Sequence, residues 1–369
     1  MPVIRILQIL SDINRDSGTT TLVVNWHKNI DRGKIQFDYL YCSQSKDLNF
    51  EEEIKKLGGR VYKLPYPSLL KPWIFIKALI VFFKNHKYKI LHSHITQLNF
   101  FYFPVARFYG TKNIIVHSHS TIYSSNPYKS FINRIMFYCS KKFINYKMAI
   151  SKKAGDFLFG KKSDYIVMHN GIDTNVFSFD EQERDTKRSE LQIKDKFVIG
   201  HVGRFAKEKN HLFMIDILKE IGKYNKNAVL ILSGNGYLEK HIRHKAEELF
   251  LNDKILFTGV TADIQSLYQA MDVFLFPSLN EGFGLALIEA QCAGLPCFIS
   301  DSIPAESNIT NTTVIPLSHA PAKWAEIIVK ETLDFKRKNE SDAIKQRGFH
   351  ITDIAKQIQN FYLDTEEKC

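Results

Sequence analysis

The chain has 369 residues, 44% of them hydrophobic, with 50 Lys and Arg against 39 Asp and Glu, a net charge of +11. That length exceeds what one core usually serves, so two domains of ordinary size are expected. Five scattered cysteines, odd in number and without paired metal-ligand spacing, argue against a disulfide framework and for a reducing compartment.

The first apolar run, residues 3–10, is interrupted by Arg5 and reads as a buried strand rather than a secretory signal. The run 73–83 contains Lys77 and falls short of the ~20 apolar residues a membrane span needs. Runs 4–10, 37–41, 90–92 and 114–117 alternate with helix-length amphipathic segments, the pattern of parallel βαβ units and an α/β fold. Two of these runs end in histidine pairs, His92-Ser93-His94 and His117-Ser118-His119, whose i, i+2 spacing puts each pair on one face if strand geometry persists. Four imidazoles can bind zinc, but no matching acidic ligand accompanies them, and His92 and His117 read as hydrogen-bonded core residues.

Between residues 54 and 155 there is no Asp or Glu at all, against 18 Lys and Arg, so the rest of the chain holds 32 cations and 39 acids. Aromatics interleave with the charges, as in Phe100-Phe101-Tyr102-Phe103 with Arg107, and Tyr128-Lys129-Ser130-Phe131-Ile132-Asn133-Arg134 running on to Lys141 and Lys142. A basic amphipathic helix in the interface gains about 1 kcal/mol per Lys or Arg near an anionic surface, so a membrane surface is the expected partner of the first half. Nucleic acid suits the same mixture of cations and stacking aromatics, but no recognition-helix, RNP, zinc-finger or KH signature supports it, and none is expected to bind.

The polar segment 180–196 lacks apolar periodicity and is the expected domain boundary, giving domains 1–180 and 181–350. Beyond it lie four more strand-like runs, 197–202, 229–232, 255–257 and 273–276. The first ends in Gly203 and Arg204, with Lys209 five residues on. A diphosphate leaving group carries about two negative charges, and each donor that stabilises it in the transition state is worth roughly 10²–10³ in rate. Arg204 and Lys209 supply that charge and can stand in for a metal ion. Residues 278–296 read SLNEGFGLALIEAQCAGLP, with Glu281 and Glu289 on either side of the Gly282-Phe283-Gly284 turn. Such a turn, with Leu285 opening the helix, offers backbone N–H groups and a helix dipole to a phosphate. Glu281 is placed to face a hexose, and Glu289 to take the two ribose hydroxyls.

The GR-x4-K element, Gly203, Arg204 and Lys209, and the E-x7-E element, Glu281 and Glu289, resemble residue for residue the two C-terminal-domain signatures of the family-4 retaining glycosyltransferases of bacterial capsule and exopolysaccharide synthesis. The resemblance implies a GT-B fold, two Rossmann-like domains with parallel sheets facing across a cleft, and a last helix, about 351–362, that rejoins the first domain. It implies catalytic roles for Arg204, Lys209, Glu281 and His119, the last because HSHST resembles the family's histidine that contacts the donor sugar. Donor-binding roles follow for Gly18, Gly203, Gly234, Gly259, Val260, Gly282, Phe283, Gly284, Leu285 and Glu289. The loop at 16–20, Asp16-Ser17-Gly18-Thr19-Thr20, departs from the family's Gly-Gly-Ala-Glu-like element, keeping one glycine and replacing the acid by threonine.

What the resemblance implies in function is metal-independent transfer of a hexose, with retention, from a nucleoside-diphosphate sugar, UDP being the expected base, to a lipid-linked sugar acceptor. The expected place is the cytoplasm, peripherally on the inner face of the cell membrane. A double displacement would need a carboxylate nucleophile, for which Glu281 is the nearby candidate, preferred here as a hydroxyl ligand. Two other readings stay open. A nucleotide-sugar epimerase would need acid–base residues that the first half scarcely offers, and a non-catalytic membrane- or polyanion-docking module is supported by the altered 16–20 loop.

Overall fold

Runs rich in β-branched and aromatic residues, buried on both faces, give the central strands, as expected for parallel sheets covered by helices on either side. The computed structural model describes residues 3–367 except 16, 44–48, 69, 125 and 262, so Asp16 of the 16–20 loop and Cys369 lie outside the described residues. The chain divides into two units, Met1–Gly171 with Ile351–Cys369, and Ile172–His350.

The first unit carries β1 (Ile4–Leu10), β2 (Ile35–Tyr41), β3 (Val61–Lys63), β4 (Ile90–Ser93), β5 (Asn113–Ser118), β6 (Tyr146–Ala149) and β7 (Ile166–Val167). They pair in parallel in the order β3-β2-β1-β4-β5-β6-β7. Its helices are α1 (Gly18–Asn29), α2 (Glu51–Lys56), α3 (Pro72–Asn85), α4 (Asn99–Phe108), α5 (Pro127–Ser140) and α6 (Lys152–Phe159). Alternation along β1 sends Ile6 to one face and Leu7 to the other. Beneath Ile6 pack Trp26 of α1 and Ile354, Ile358 and Tyr362 of the C-terminal helix Ile351–Glu367. Beneath Leu7 pack Leu79 of α3, Phe103 of α4, Phe137 of α5 and Leu158 of α6.

The second unit is built from α7 (Glu181–Glu190), β8 (Phe197–Val202), α8 (His211–Ile221), β9 (Ala228–Ser233), α9 (Glu239–Glu248), β10 (Ile255–Gly259), α10 (Ile264–Ala270), β11 (Val273–Phe276), α11 (Leu285–Cys292), β12 (Cys297–Ser300), β13 (Thr312–Ile315), α12 (Pro321–Thr332) and α13 (Ser341–Gln346). Its sheet runs β10-β9-β8-β11-β12-β13, again parallel.

The segment 180–196, expected to be the boundary, instead lies within the second unit, because α7 docks through arginines rather than an apolar stripe. Arg184 and Arg188 both pair with Asp272, and Arg188 donates to the Ala270 carbonyl at 3.0 Å. Arg337 adds bonds to the carbonyls of Tyr268, Gln269 and Met271. Three guanidiniums thus gather on the carbonyl end of α10, where the helix dipole favours cations. Hydrophobic periodicity cannot reveal docking of this kind. Among the described residues no helix is long and apolar enough to cross a membrane.

Candidate active site

In an open parallel sheet the ligand crevice lies beyond the carboxyl ends of the strands where the strand order reverses, here between β8 and β11. The loops leaving those two strands carry the two sequence motifs. After β8, the Gly203 N–H donates to the Ser233 carbonyl at 2.9 Å and the Phe205 N–H to the Asn235 carbonyl at 2.6 Å. A short 3₁₀ turn, Lys207–Lys209, then ends in Asn210, held left-handed at φ 60°. The Asn210 side-chain amide donates to the Pro277 carbonyl at 3.1 Å, and the Leu279 N–H donates to the Glu208 carbonyl at 2.8 Å. These two bonds tie the loop after β8 to the loop after β11.

That tie brings Lys209 Nζ to 2.6 Å from Glu281 Oε1, and the ammonium also sits 5.1 Å from the centre of the Phe276 ring. Glu281 is 9% exposed. A carboxylate so far from water needs a close cation, so the pair is mutually dependent. Arg204 is placed otherwise. Its side chain is 61% exposed and bonds Glu208 Oε1 at 2.9 Å, an exposed pair of little strength that an incoming anion can replace.

Beyond Glu281 the chain turns at Gly282 and Phe283 into Gly284, whose φ of 92° is the left-handed conformation glycine favours. Gly284 starts α11 without a side-chain cap, and no acid occupies the first turn, which begins at Leu285. Its N-terminal field is therefore directed at whatever lies in front of it. Phe283 is 1% exposed, packs against Phe349 and accepts Ser307 Oγ–H on its carbonyl at 2.5 Å, so its ring belongs to the core. Further along the helix, half-buried Glu289 accepts the Tyr268 hydroxyl at 2.7 Å. Burial pushes the Glu289 carboxyl up to about 7, and the Tyr268 hydrogen bond opposes the rise.

The sign of this shift fixes a pH dependence. A carboxyl raised from 4.5 to about 7 on folding holds more protons folded than unfolded, so its contribution falls as pH rises from about 4.5 to about 7. The melting temperature of Glu289→Gln should therefore gain on wild type across that window and keep its advantage above it. A constant difference in thermal melts across that range would contradict the assignment.

The glycines after β9 have a packing reason. Gly234 lies at φ 139°, and a Cβ there would meet the Gly203 carbonyl oxygen at 2.2 Å. Gly236, at φ 155°, would meet the Phe205 carbonyl oxygen at 2.5 Å. The Gly234 N–H also donates to the Gly259 carbonyl at 2.9 Å, so three loops are stitched together at the sheet's carboxyl edge. Gly234→Ala should destabilise the protein by roughly 2 kcal/mol or more, since neither the φ nor the contact admits a methyl group. An unchanged melting temperature would show that this edge is loosely packed. Gly259, at φ 67°, has open space where a Cβ would stand, and Val260 beside it is exposed.

In the first unit the order reverses between β1 and β4, and Gly18 begins α1 just beyond β1 with no acid in the first turn. His92, His94 and His117 are buried, their rings stacked on one another, with Trp26 over His92 and His117. His92 Nδ1 lies 2.6 Å from the Tyr362 hydroxyl, and His94 Nε2 lies 2.8 Å from Gln8 Oε1. His94 Nδ1 lies 2.8 Å from His119 Nε2, which makes half-buried His119 the outermost ring of the group. Burial pulls His119 down to about 3, so it is a neutral hydrogen-bonding group rather than a source of positive charge. One ring nitrogen from each of His92, His94 and His117 comes within 4.8 Å of the others. Both nitrogens of His94 already face partners, and among the described residues no acid joins the three.

Three supporting residues escaped the sequence reading. Glu208 holds Arg204, Asn210 links the loops and Tyr268 orients Glu289. Asn210 carried a usable signal, since asparagine tolerates the left-handed conformation a helix entry of this shape requires. Tyr268 carried none, because its partner lies 21 residues away.

Two family models match the chain: glycosyltransferase family 4 over residues 17–176 and glycosyl transferases group 1 over residues 183–329. The putative glycosyltransferase EpsF of Bacillus subtilis (strain 168) is 30% identical over 99% of this chain and 97% of its own. The UDP-Gal:alpha-D-GlcNAc-diphosphoundecaprenol alpha-1,3-galactosyltransferase of Escherichia coli is 26% identical over 80% and 81% of the two chains. Among solved structures, HepE of Anabaena in complex with UDP and glucose superposes with a TM-score of 0.81 at 20% identity, covering 97% of this chain and 99% of that one. The fold they share is GT-B, two Rossmann-like units each with a parallel sheet.

Proposed function

Because this chain belongs to the group 1 glycosyltransferases of family 4, we propose that it transfers a hexose from a UDP-linked donor, with retention at the anomeric carbon, to a lipid-linked oligosaccharide in the building of a surface polysaccharide. The observation that carries this reading is the 2.6 Å contact of Lys209 with Glu281, which joins the two motifs at one point on the sheet's carboxyl edge. HepE, of the same fold, was solved with UDP and glucose bound, and the E. coli relative is named for a UDP-galactose donor and a diphosphoundecaprenol acceptor.

Each group then has a role. Glu289 accepts the ribose hydroxyls, and the α11 N-terminus at Gly282, Gly284 and Leu285, with the backbone at Gly203, faces the phosphates. Gly234, Gly259 and Val260 border the base. Glu281 binds hexose hydroxyls as an acceptor. When the C1–O bond to the diphosphate breaks, Arg204 leaves Glu208 and joins Lys209 in stabilising the negative charge that develops on the leaving phosphate oxygen, beside the two the diphosphate already carries, so no metal is called for. The acceptor hydroxyl bonds to C1 on the face the diphosphate leaves and gives its proton to the departing phosphate oxygen. The acceptor's lipid sets the place of reaction, a membrane surface met through the basic first unit, with the protein peripheral on its inner face.

Incubating the full chain with a labelled UDP-hexose and detergent-dispersed undecaprenyl-diphosphate saccharides should yield an extended lipid saccharide whose new linkage keeps the donor's anomeric configuration by NMR. An inverted linkage would refute the retaining mechanism. An altered sugar nucleotide formed without acceptor would favour the epimerase.

A further inference from the structure

Helix α5 has two stripes where its own fold needs one. Its inward stripe is Ser130, Asn133, Phe137 and Ser140, of which Phe137 alone enters the apolar core. Its outward stripe is Tyr128, Phe131, Ile132, Ile135 and Tyr138, spaced i, i+3, i+4, i+7 and i+10, with Phe131 64% and Tyr138 73% exposed. Single exposed apolar side chains are ordinary, but a continuous apolar stripe on the solvent side of a helix marks an interaction surface.

The surroundings specify the occupant. Lys129, Arg134, Lys141 and Lys142 flank the stripe and are all exposed. Although the Lys141 side chain is exposed, partial desolvation of its ammonium, with repulsion from Lys147 and Arg134, pulls it below the usual lysine value, and a bound anion would relieve that crowding. No acid occurs between residues 54 and 155 to neutralise these cations. On the same face of the sheet, two helices over, α3 turns out Trp73, Ile74, Ile80 and Val81 with Lys77 and Lys84 among them. Apolar and aromatic groups interspersed with cations and free of acids match a layer of anionic headgroups over acyl chains.

We propose that the outward stripe of α5 lies in the headgroup layer of an anionic bilayer, with Phe131 and Ile135 inserted towards the acyl chains and the flanking cations on lipid phosphates. This rests on the lipid-linked acceptor proposed above, and it names the surface at which that acceptor is met.

Cosedimentation of the full chain with vesicles tests it. Wild type should bind phosphatidylcholine vesicles containing phosphatidylglycerol far better than phosphatidylcholine alone. The pair Phe131→Ser and Ile135→Ser should weaken that binding roughly tenfold or more. Replacing Lys129, Arg134, Lys141 and Lys142 by glutamine should weaken it ~5-fold per cation. Both variants should melt as wild type does and keep its UDP-sugar affinity in solution. Equal binding to both vesicle types, no binding, or undiminished binding by the serine variant would overturn the proposal. So would a wild-type dimer that the serine variant dissociates in sedimentation velocity, which would give the stripe to a second copy of the chain. Failed vesicle binding with intact transfer to a detergent-dispersed acceptor removes only the surface. Vesicle binding without any UDP-sugar affinity removes only the enzymatic reading.

Discussion

Lys209→Ala should lower kcat by about 10²–10³ with a much smaller change in KM, the signature of an interaction made chiefly in the transition state. Lys209 is held by the turn at Lys207–Lys209 and by Asn210, so its ammonium is already at the site before a donor arrives. Little reorganisation is then needed as charge builds on the leaving diphosphate. The substitution has a second consequence, because it strips the 9%-exposed Glu281 of its cation. Lys209→Ala should therefore also melt earlier, while the double variant Lys209→Ala with Glu281→Gln should recover melting temperature but not turnover. Arg204→Ala separates the two effects, since Arg204 is 61% exposed and its loss should reduce turnover with no change in melting. Normal kcat in Lys209→Ala would remove the residue from the mechanism.

Glu289→Ala should weaken UDP-sugar binding by roughly 10–100-fold, the worth of one or two hydrogen bonds to a charged acceptor. Tyr268 holds one carboxyl oxygen of Glu289 at 2.7 Å and leaves the group aimed from the body of α11. With the carboxyl near 7 in the free protein, only the ionised fraction can accept from both ribose hydroxyls. Wild-type affinity should therefore tighten as pH rises through about 7, and Glu289→Gln should bind more weakly and without that dependence. Titration calorimetry at several pH values reads both. Equal pH profiles for the two proteins would show that Glu289 does not meet the ribose.

Eight of the thirteen strands among the described residues were legible as apolar runs, among them β1, β8 and β11 with the bounds they have in the structure. Those missed are short or polar. β3 is Val-Tyr-Lys, β7 two exposed residues, and β13 begins with two threonines, so none presents a run that stands out from a loop. The boundary was misplaced because α7 is tied down by guanidinium bonds to Asp272 and to the α10 carbonyls, which leave no periodic trace. In the candidate site, residue types and spacing pointed to Arg204, Lys209, Glu281 and Glu289 individually. Which cation faces which carboxylate was not readable, because Lys209 and Glu281 stand 72 residues apart and meet only through the loops of adjacent strands. In a linear motif neither the burial of the Phe283 ring nor the approach of the Gly203 carbonyl that keeps residue 234 a glycine can be seen.

The central claim, that the second unit is a nucleotide-sugar site built on Lys209, Glu281 and Glu289, is tested most directly by ligand-observed NMR of the full chain against UDP-, GDP- and ADP-sugars, with Glu289→Ala as control. Saturable, base-selective binding of a UDP-sugar that disappears in the variant is the predicted result. Binding of none of the sugars by a folded wild-type protein, or binding that Glu289→Ala leaves intact, would contradict it.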